Sequence, residues 1–486
     1  MAEPFPKLQS QAPLARALCY ALGAAGLCNF GLTAATRALH PWPLEWMEGA
    51  SLHHALRLLH GQPLYAAPSA DFIAYLYPPL GYLPMALGVM LLGETPMAAR
   101  LPSLLLTLLT LIAIARLAAR SGGGRAGGVA AAGVFAMGFG YGGAFLDLAR
   151  IDACFLALVS WAAERLERQR LGAALLLLGL AALTKQHGLM FWCAVAVAAL
   201  WQRGREALVP VLRSGLFLLA SLAWLSLSSD GWFLRYGFEL PAGHDIIWEL
   251  LASFFFVDLA LYLPLLFVGG CLWLWPRLYS LRPEPLAALV LAALVAGALG
   301  RAHAGGNDNV RLPALAALCW VGLTPVLARL LSPSARRATR IGLGMALTLQ
   351  FLMLWQAPSH HAPQPRDSRA YHGLKRALKR CAQGGSAVAL DHALLTGSPF
   401  MHTMALWDLQ KGHSADLAEL GGKALAAGLG ADDAPKAIAV GVEVAGLAAL
   451  LEAHYSPCAR VPAPRPATGF APGSPGGHQL IYRRLE

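Results

Sequence analysis

Along the first three quarters of the 486-residue chain, apolar runs alternate with short groups of Lys and Arg, and near residue 360 the rhythm changes. Crossing a bilayer core takes about 20 apolar residues of helix. The runs that approach this length are 14–36, 101–119, 126–145, 153–165, 171–184, 187–202, 207–227, 251–275, 285–300, 311–330 and 341–357. A further run, 78–93, is brief and follows Tyr77-Pro78-Pro79, which suits a segment lying at the interface or re-entering rather than crossing. The first run is longer than a signal-peptide core of about 7 to 15 residues and is expected to stay as an anchor. Beyond 357, short apolar runs at 387–390, 437–440 and 479–482 read as strands, with helical patterns at 367–381, 415–428 and 443–454 and a Pro/Gly-rich loop at 462–477. The pattern therefore predicts an all-α polytopic membrane protein of about 11 transmembrane helices plus one non-crossing surface segment, residues 1–357, followed by a soluble α/β domain, residues 358–486.

Composition agrees: 57% of residues are hydrophobic and 13% charged, too few charges for a soluble enzyme. The net charge of +11 raises the question of nucleic acid, but the basic residues do not gather in one stretch. They mark topology instead, because Lys and Arg near span ends stay on the cytoplasmic side. If 78–93 does not cross, 17 basic residues fall inside: Lys7 and Arg16, then those of 116–125, 165–170, 203–213, 277–282 and 329–340. Eight fall outside: Arg37, Arg57, Arg100, Arg150, Lys185, Arg235, Arg301 and Arg311. If 78–93 crosses, the two counts exchange, so the amino terminus is assigned inside and the carboxyl terminus outside. The outer loops then hold 12 acids against 5 inside, an excess that topology does not require and that an external active site would explain.

Six of the eight cysteines lie in apolar runs and read as small packing residues. Cys381 and Cys458 lie in the tail and could form a disulfide if that part is external; sequence gives no distance between them. No metal-ligand spacing occurs.

Four polar clusters fall at outer span ends. The first loop, 37–100, carries Glu45 and Glu48; Glu48 opens an amphipathic helix, where a carboxylate is favoured by the dipole. Trp42, Trp46 and Met47 would raise its pKa, as a general base requires. The second cluster is Asp147, Arg150 and Asp152, where a local i,i+3 ion pair accounts for one acid and leaves Asp152 over. The third is Lys185-Gln186-His187; a Lys at a span end commonly snorkels to headgroups, and on the outer side a bound phosphate would account for it. The fourth is 301–313, with Asn307, Asp308 and Asn309 in a Gly-containing loop. Loop 228–250 adds Arg235, Glu239 and His244.

In this order the pieces resemble the GT-C-type integral membrane glycosyltransferases, in particular the RgtA/B/C/D-like group related to aminoarabinose transferases and protein O-mannosyltransferases. The matching residues are Glu45/Glu48 followed by Pro78-Pro79-Leu80, the D-x-x-R-x-D motif of Asp147, Arg150 and Asp152, and Thr184-Lys185-Gln186. Relatives often show Asp-Glu where this chain has Met47-Glu48, so the base is Glu48 or Glu45. The resemblance implies an inverting hexosyl or pentosyl transferase of the bacterial inner membrane. It would move a sugar from a polyprenyl-phosphate donor to a lipid, glycan or protein acceptor on the external face. Arg150 and Lys185 would bind the donor phosphate, and Asp147, Asp152, Gln186, Asn307 and Asp308 would orient substrate. A divalent cation, if one is used, would fall to Asp147 and Asp152. Membrane lipids are the other expected partners, and nucleic acid is not one. A lipid or glycan flippase would show mid-span polar residues and inverted repeats. A non-catalytic assembly protein would need no acidic loop motifs.

Overall fold

A computed structural model of the chain describes residues 13–279, 284–392, 395, 400–412, 414–441, 444, 446–464 and 478–485. The eleven apolar runs are helical over most of their lengths, the run 126–145 only as far as Met137. Six helices are individually long and apolar enough to cross a membrane: Pro13–Ala38, Pro96–Met137, Arg205–Leu227, Pro285–Ala302, Asp308–Leu330 and Arg337–His361. A seventh appears if Trp248–Leu261 and Pro264–Leu278, bent by 105° to each other, count as one broken span. The run expected as a straight crossing at 251–275 is thus two pieces, turned where Pro264 removes a backbone donor.

The 42-residue stretch Pro96–Met137 contains two of the expected runs. Ser121 and Gly122 leave the helical region there, Gly122 with φ 101°, so the chain turns back on itself. The two arms, Pro96–Ala118 and Gly124–Met137, pack so closely that a Cβ on Gly128 would lie 2.5 Å from the Ala115 carbonyl oxygen. Gly26 of the first helix meets Gly133 as closely, 2.1 Å by the same measure. Small residues let membrane helices approach where water supplies no hydrophobic drive.

Asp152–Glu167, Leu171–Ala182 and His187–Arg203 are helices of 16, 12 and 17 residues. The interfacial run forms Pro79–Tyr82 and Leu83–Leu92, 14 residues together. At 1.5 Å per residue that is about 21 Å, short of the roughly 30 Å hydrocarbon core. The same arithmetic leaves Leu171–Ala182 too short to cross by itself.

Past residue 364 the chain forms a four-stranded sheet of order β1-β2-β4-β3, with β1 Ala387–Ala389, β2 Ala437–Val440, β3 Tyr455–Pro462 and β4 His478–Arg484. β1 and β2 are parallel, and β4 runs antiparallel to both its neighbours. Of these, β3 and the helix Thr403–Lys411 have no counterpart in the sequence reading. β3 holds Pro457 and Pro462 and shifts register between Pro457 and Ala459, as prolines in an edge strand do. The loop expected at 462–477 falls outside the described residues from 465 onward. Cys381 and Cys458 are joined as a disulfide, Cα–Cα 6.1 Å, tying the helix Pro365–Ala382 to β3.

This sheet region and the first loop share one apolar core, in which Trp46, Met47, Tyr75 and Tyr82 pack with Met401, Leu406, Leu409 and Leu425. Tyr371 donates to the Pro43 carbonyl (3.1 Å) and stacks on Trp42. Met401 N donates to the Ala70 carbonyl (2.9 Å), and Arg235 pairs with Asp416.

Candidate active site

The charged motifs assemble at one end of the helical bundle, and nearly every acid there has an arginine or lysine partner from a distant part of the chain. Glu48 opens the helix Glu48–Leu59 and is 2% exposed. Its carboxylate accepts from Arg100 Nε (2.9 Å) and Nη2 (2.7 Å), from Leu44 N (2.6 Å) and from Ala149 N (2.9 Å). The rise in pKa expected for Glu48 is therefore corrected. Although burial raises it, the Arg100 guanidinium and the two backbone donors outweigh that and hold the carboxyl below its usual value. The rise belongs to Glu45, whose burial outweighs the pull of Arg150. Glu45 Oε2 accepts from Arg150 Nη1 (2.8 Å) and from Met47 N (3.1 Å).

The local pair expected between Asp147 and Arg150 does not form. Segment 138–151 runs in turns rather than as a helix, so i,i+3 neighbours do not share a face. Asp147 is instead gripped by Arg37 of the first helix, through Nε (2.6 Å) and Nη2 (3.0 Å), both residues sealed from solvent. Sealed from solvent, Asp147 presents no oxygen to a substrate. Asp152 Oδ1 accepts from Lys185 Nζ (3.0 Å) and Asn309 Nδ2 (2.9 Å), while its Oδ2 is buried with no hydrogen-bond partner among the described residues. Asp147 and Asp152 thus serve different cations and form no shared ligand pair; no cluster of three or more His, Cys, Asp or Glu fit for a metal occurs among the described residues.

A cavity of about 400 Å³ opens beside this network. Lys185, Gln186, His187, Asn307 and Asn309 line it together with Tyr75 and Tyr77 of the first loop and Met404 and Asp408 of the helix Thr403–Lys411. Lys185 Nζ lies 5.9 Å from the Tyr77 ring centre. Gln186 is fixed by donating to the carbonyls of Leu76 and Gly237 (2.7 Å to the latter). Of the predicted site residues, Lys185, Gln186 and Asn307 line the cavity, Asp152 and Arg150 stand behind its wall, and Glu45, Glu48 and Asp147 brace the loops. Asp308 pairs with Arg311 (2.6 Å), is partly exposed and is not among the residues lining the cavity.

Sequence reasoning missed the braces Arg37 and Arg100, the group of Asp258 with Arg301 (3.1 Å) and Arg311 (2.9 Å), and the lining residue Asp408. Arg37 and Arg100 did carry a signal: the sequence reading assigns them to outer span ends, where a basic residue is against the topological trend. Asp408 lies in a helix the pattern did not show. Two buried histidines complete the loop packing. His54 donates from Nδ1 to the Ala50 carbonyl (2.7 Å) and accepts at Nε2 from Tyr75 N (2.8 Å). His402 donates from Nε2 to the Trp46 carbonyl (3.0 Å) and accepts at Nδ1 from Met404 N (3.1 Å). Burial holds their pKa values down at about 3 and about 4.

Comparison with known proteins bears on the same region. The family described as dolichyl-phosphate-mannose-protein mannosyltransferase matches residues 77–229. No curated protein matches by sequence. Among solved structures, ArnT from Cupriavidus metallidurans bound to undecaprenyl phosphate is 15% identical with TM-score 0.55, over 96% of this chain and 97% of that one. Its apo form gives 14% identity and TM-score 0.53 over the same shares. The oligosaccharyltransferase AglB from Archaeoglobus fulgidus is 11% identical with TM-score 0.47, covering 95% of this chain and 76% of that one. The chain is thus a multi-pass membrane protein of GT-C-type fold, resembling ArnT over nearly its whole length and the protein mannosyltransferases over residues 77–229.

Proposed function

We propose that the protein transfers a sugar from a polyprenyl-phosphate donor to a lipid, glycan or protein acceptor at the external face of the membrane. The observation that carries this is Lys185. It lines the cavity, its ammonium is held by Asp152, to which Asn309 also donates, and it lies inside the segment matched by the mannosyltransferase family. A cation oriented at the wall of a half-enclosed cavity is suited to a phosphate monoester or diester, and hydrogen bonds to charged groups are the strong ones. The ArnT structure holding undecaprenyl phosphate supports the same ligand class.

In this reading the anomeric carbon is attacked by the acceptor oxygen with inversion as the phosphate leaves, and Lys185 stabilises the charge growing on it. Arg150 adds positive potential from behind the wall. Asn307, Asn309 and Gln186 orient the sugar. Glu48 and Glu45 act as braces: each is already ion-paired, and protonating either would loosen Arg100 or Arg150. In the same reading the apolar runs cross, the short helix Leu171–Ala182 only with local thinning of the bilayer, the amino terminus is cytoplasmic, and residues 358–486 form an external domain of a bacterial inner-membrane protein; the distribution of basic residues supports that orientation.

Incubating the purified protein with radiolabelled polyprenyl-phosphate sugars and a membrane extract tests it. Free polyprenyl phosphate and a labelled acceptor are expected. Sugar that stays on its carrier at every protein concentration would overturn the reading.

A further inference from the structure

The region after residue 364 does more than cover the bundle: it supplies one wall of the cavity. The helix Thr403–Lys411 is seated closely against loops of the membrane part. A Cβ on Gly243 would lie 1.8 Å from the Gly412 carbonyl oxygen, and one on Gly305 would lie 3.2 Å from the Trp407 ring. His402 at the start of this helix is bonded to Trp46 in the first loop. The helix therefore contributes Met404 and Asp408 to the lining of the cavity that Lys185 and Asn309 also line.

Asp408 is 3% exposed, and its Oδ1 has no hydrogen-bond partner among the described residues. The nearest cation-forming group, His244 Nε2, is 4.0 Å from that oxygen, beyond hydrogen-bond reach. A buried carboxyl oxygen left open is costly unless something else engages it. Unlike Glu45, Glu48 and Asp147, Asp408 is braced by no arginine or lysine among the described residues.

We infer that Asp408 is the general base of the transfer, resting on the glycosyl-transfer reading above. The acceptor O–H donates to Asp408 Oδ1. As the acceptor oxygen forms its bond to the anomeric carbon, that proton passes to Oδ1. The bond from the anomeric carbon to the phosphate oxygen breaks, and its electron pair leaves with the polyprenyl phosphate beside Lys185. Burial places the carboxyl well above its usual pKa, moderated by Arg150, so it is a stronger base once ionised than an exposed aspartate. The groups facing it are Arg150, Tyr75 and His244. Lys185 and His187 share the cavity, His303 stacks beside His244, and His402 lies on its own helix.

The test compares Asp408→Asn, Asp408→Glu and Glu45→Gln with the wild type in polyprenyl phosphate release across pH, alongside binding of the donor. Asp408→Asn keeps the shape and removes only the proton acceptor. Expected for it are unchanged donor binding, a rate about 100- to 10,000-fold lower, and loss of the limb over which the wild-type rate climbs with pH. Asp408→Glu should recover part of the rate with a displaced limb. A folded Asp408→Asn protein that binds donor and keeps the wild-type rate and limb overturns the inference, as does a limb that vanishes only in Glu45→Gln. Wild-type protein that releases no polyprenyl phosphate overturns the underlying reading instead.

Discussion

The two ends of the helical bundle treat basic residues in opposite ways. At the cavity end, Arg37, Arg100, Arg150 and Lys185 are 0 to 10% exposed and each meets one carboxylate at 2.6 to 3.0 Å. At the other end, Arg16, Arg120, Arg125, Arg213, Arg329, Arg336 and Arg337 are exposed, as free topological charges should be. Its exception is Glu164, sealed from solvent yet ringed by Arg116 (3.0 Å) and Arg168 (2.6 Å), which are themselves partly exposed. Basic residues that defy the topological trend are therefore those with a structural partner, and the excess of acids at the cavity end is largely an inventory of braces.

The largest expected effect comes from leaving a braced charge alone. Arg37→Ala should strand Asp147 in an unsolvated site and cost about 3 to 5 kcal/mol, read as a steep fall in melting temperature in detergent. Arg100→Ala should do the same through Glu48. If either loses no more than an Arg at the opposite end, the contrast between the ends is wrong.

A second test uses acid. His54 and His402 each use both ring nitrogens in the neutral form, one of them accepting a backbone N–H, so taking a proton breaks that bond. Their folded values of about 3 and about 4 lie below the unfolded 6.5. The stability they contribute is complete above 6.5 and is lost as the pH falls toward 4. Thermal melts between pH 7 and 4 should show this decline, and it should shrink in His402→Asn, whose amide nitrogen stays neutral throughout.

Lys185→Ala should weaken binding of a short-chain polyprenyl phosphate about 10- to 100-fold, the worth of a hydrogen bond to a charged group, and lower the melting temperature less than Arg37→Ala does, because Asp152 keeps Asn309 and lies behind a cavity wall. Titration of the purified variant measures it. Glu164→Gln should cost less than the cavity-end pairs, about 1 to 2 kcal/mol, since its arginines can return to water. The smallest effect belongs to Arg336→Ala, within about 0.5 kcal/mol.

Hydropathy shows the helices plainly, because a run of apolar residues in lipid has few other options. The bend at Pro264 and the tight hairpin at Gly122 are less visible: the first depends on how the chain packs around a missing donor, the second on a φ that composition does not report. The site was legible in its residue types and not in its pairings. Lys185 and Gln186 stood out as polar breaks between apolar runs and do line the cavity. Asp147 and Arg150 were read as partners because they are close in sequence, whereas their true partners lie 110 and 105 residues away. Long-range pairing of like motifs has no local signature. Asp408 was hidden for a related reason, since a helix of 9 residues is too short for its apolar spacing to stand out and acquires its meaning only from what it is laid against.

The bond between Cys381 and Cys458 has a consequence for where this protein can mature. Disulfides persist in oxidising surroundings and are reduced in the cytosol, so the sheet that carries Asp408's helix against the cavity is expected to set firmly only after its segment has left the cytoplasm. If residues 358–486 are external, as proposed above, the lining that Met404 and Asp408 contribute is expected to be locked in place by oxidation, after the chain has been threaded through the membrane.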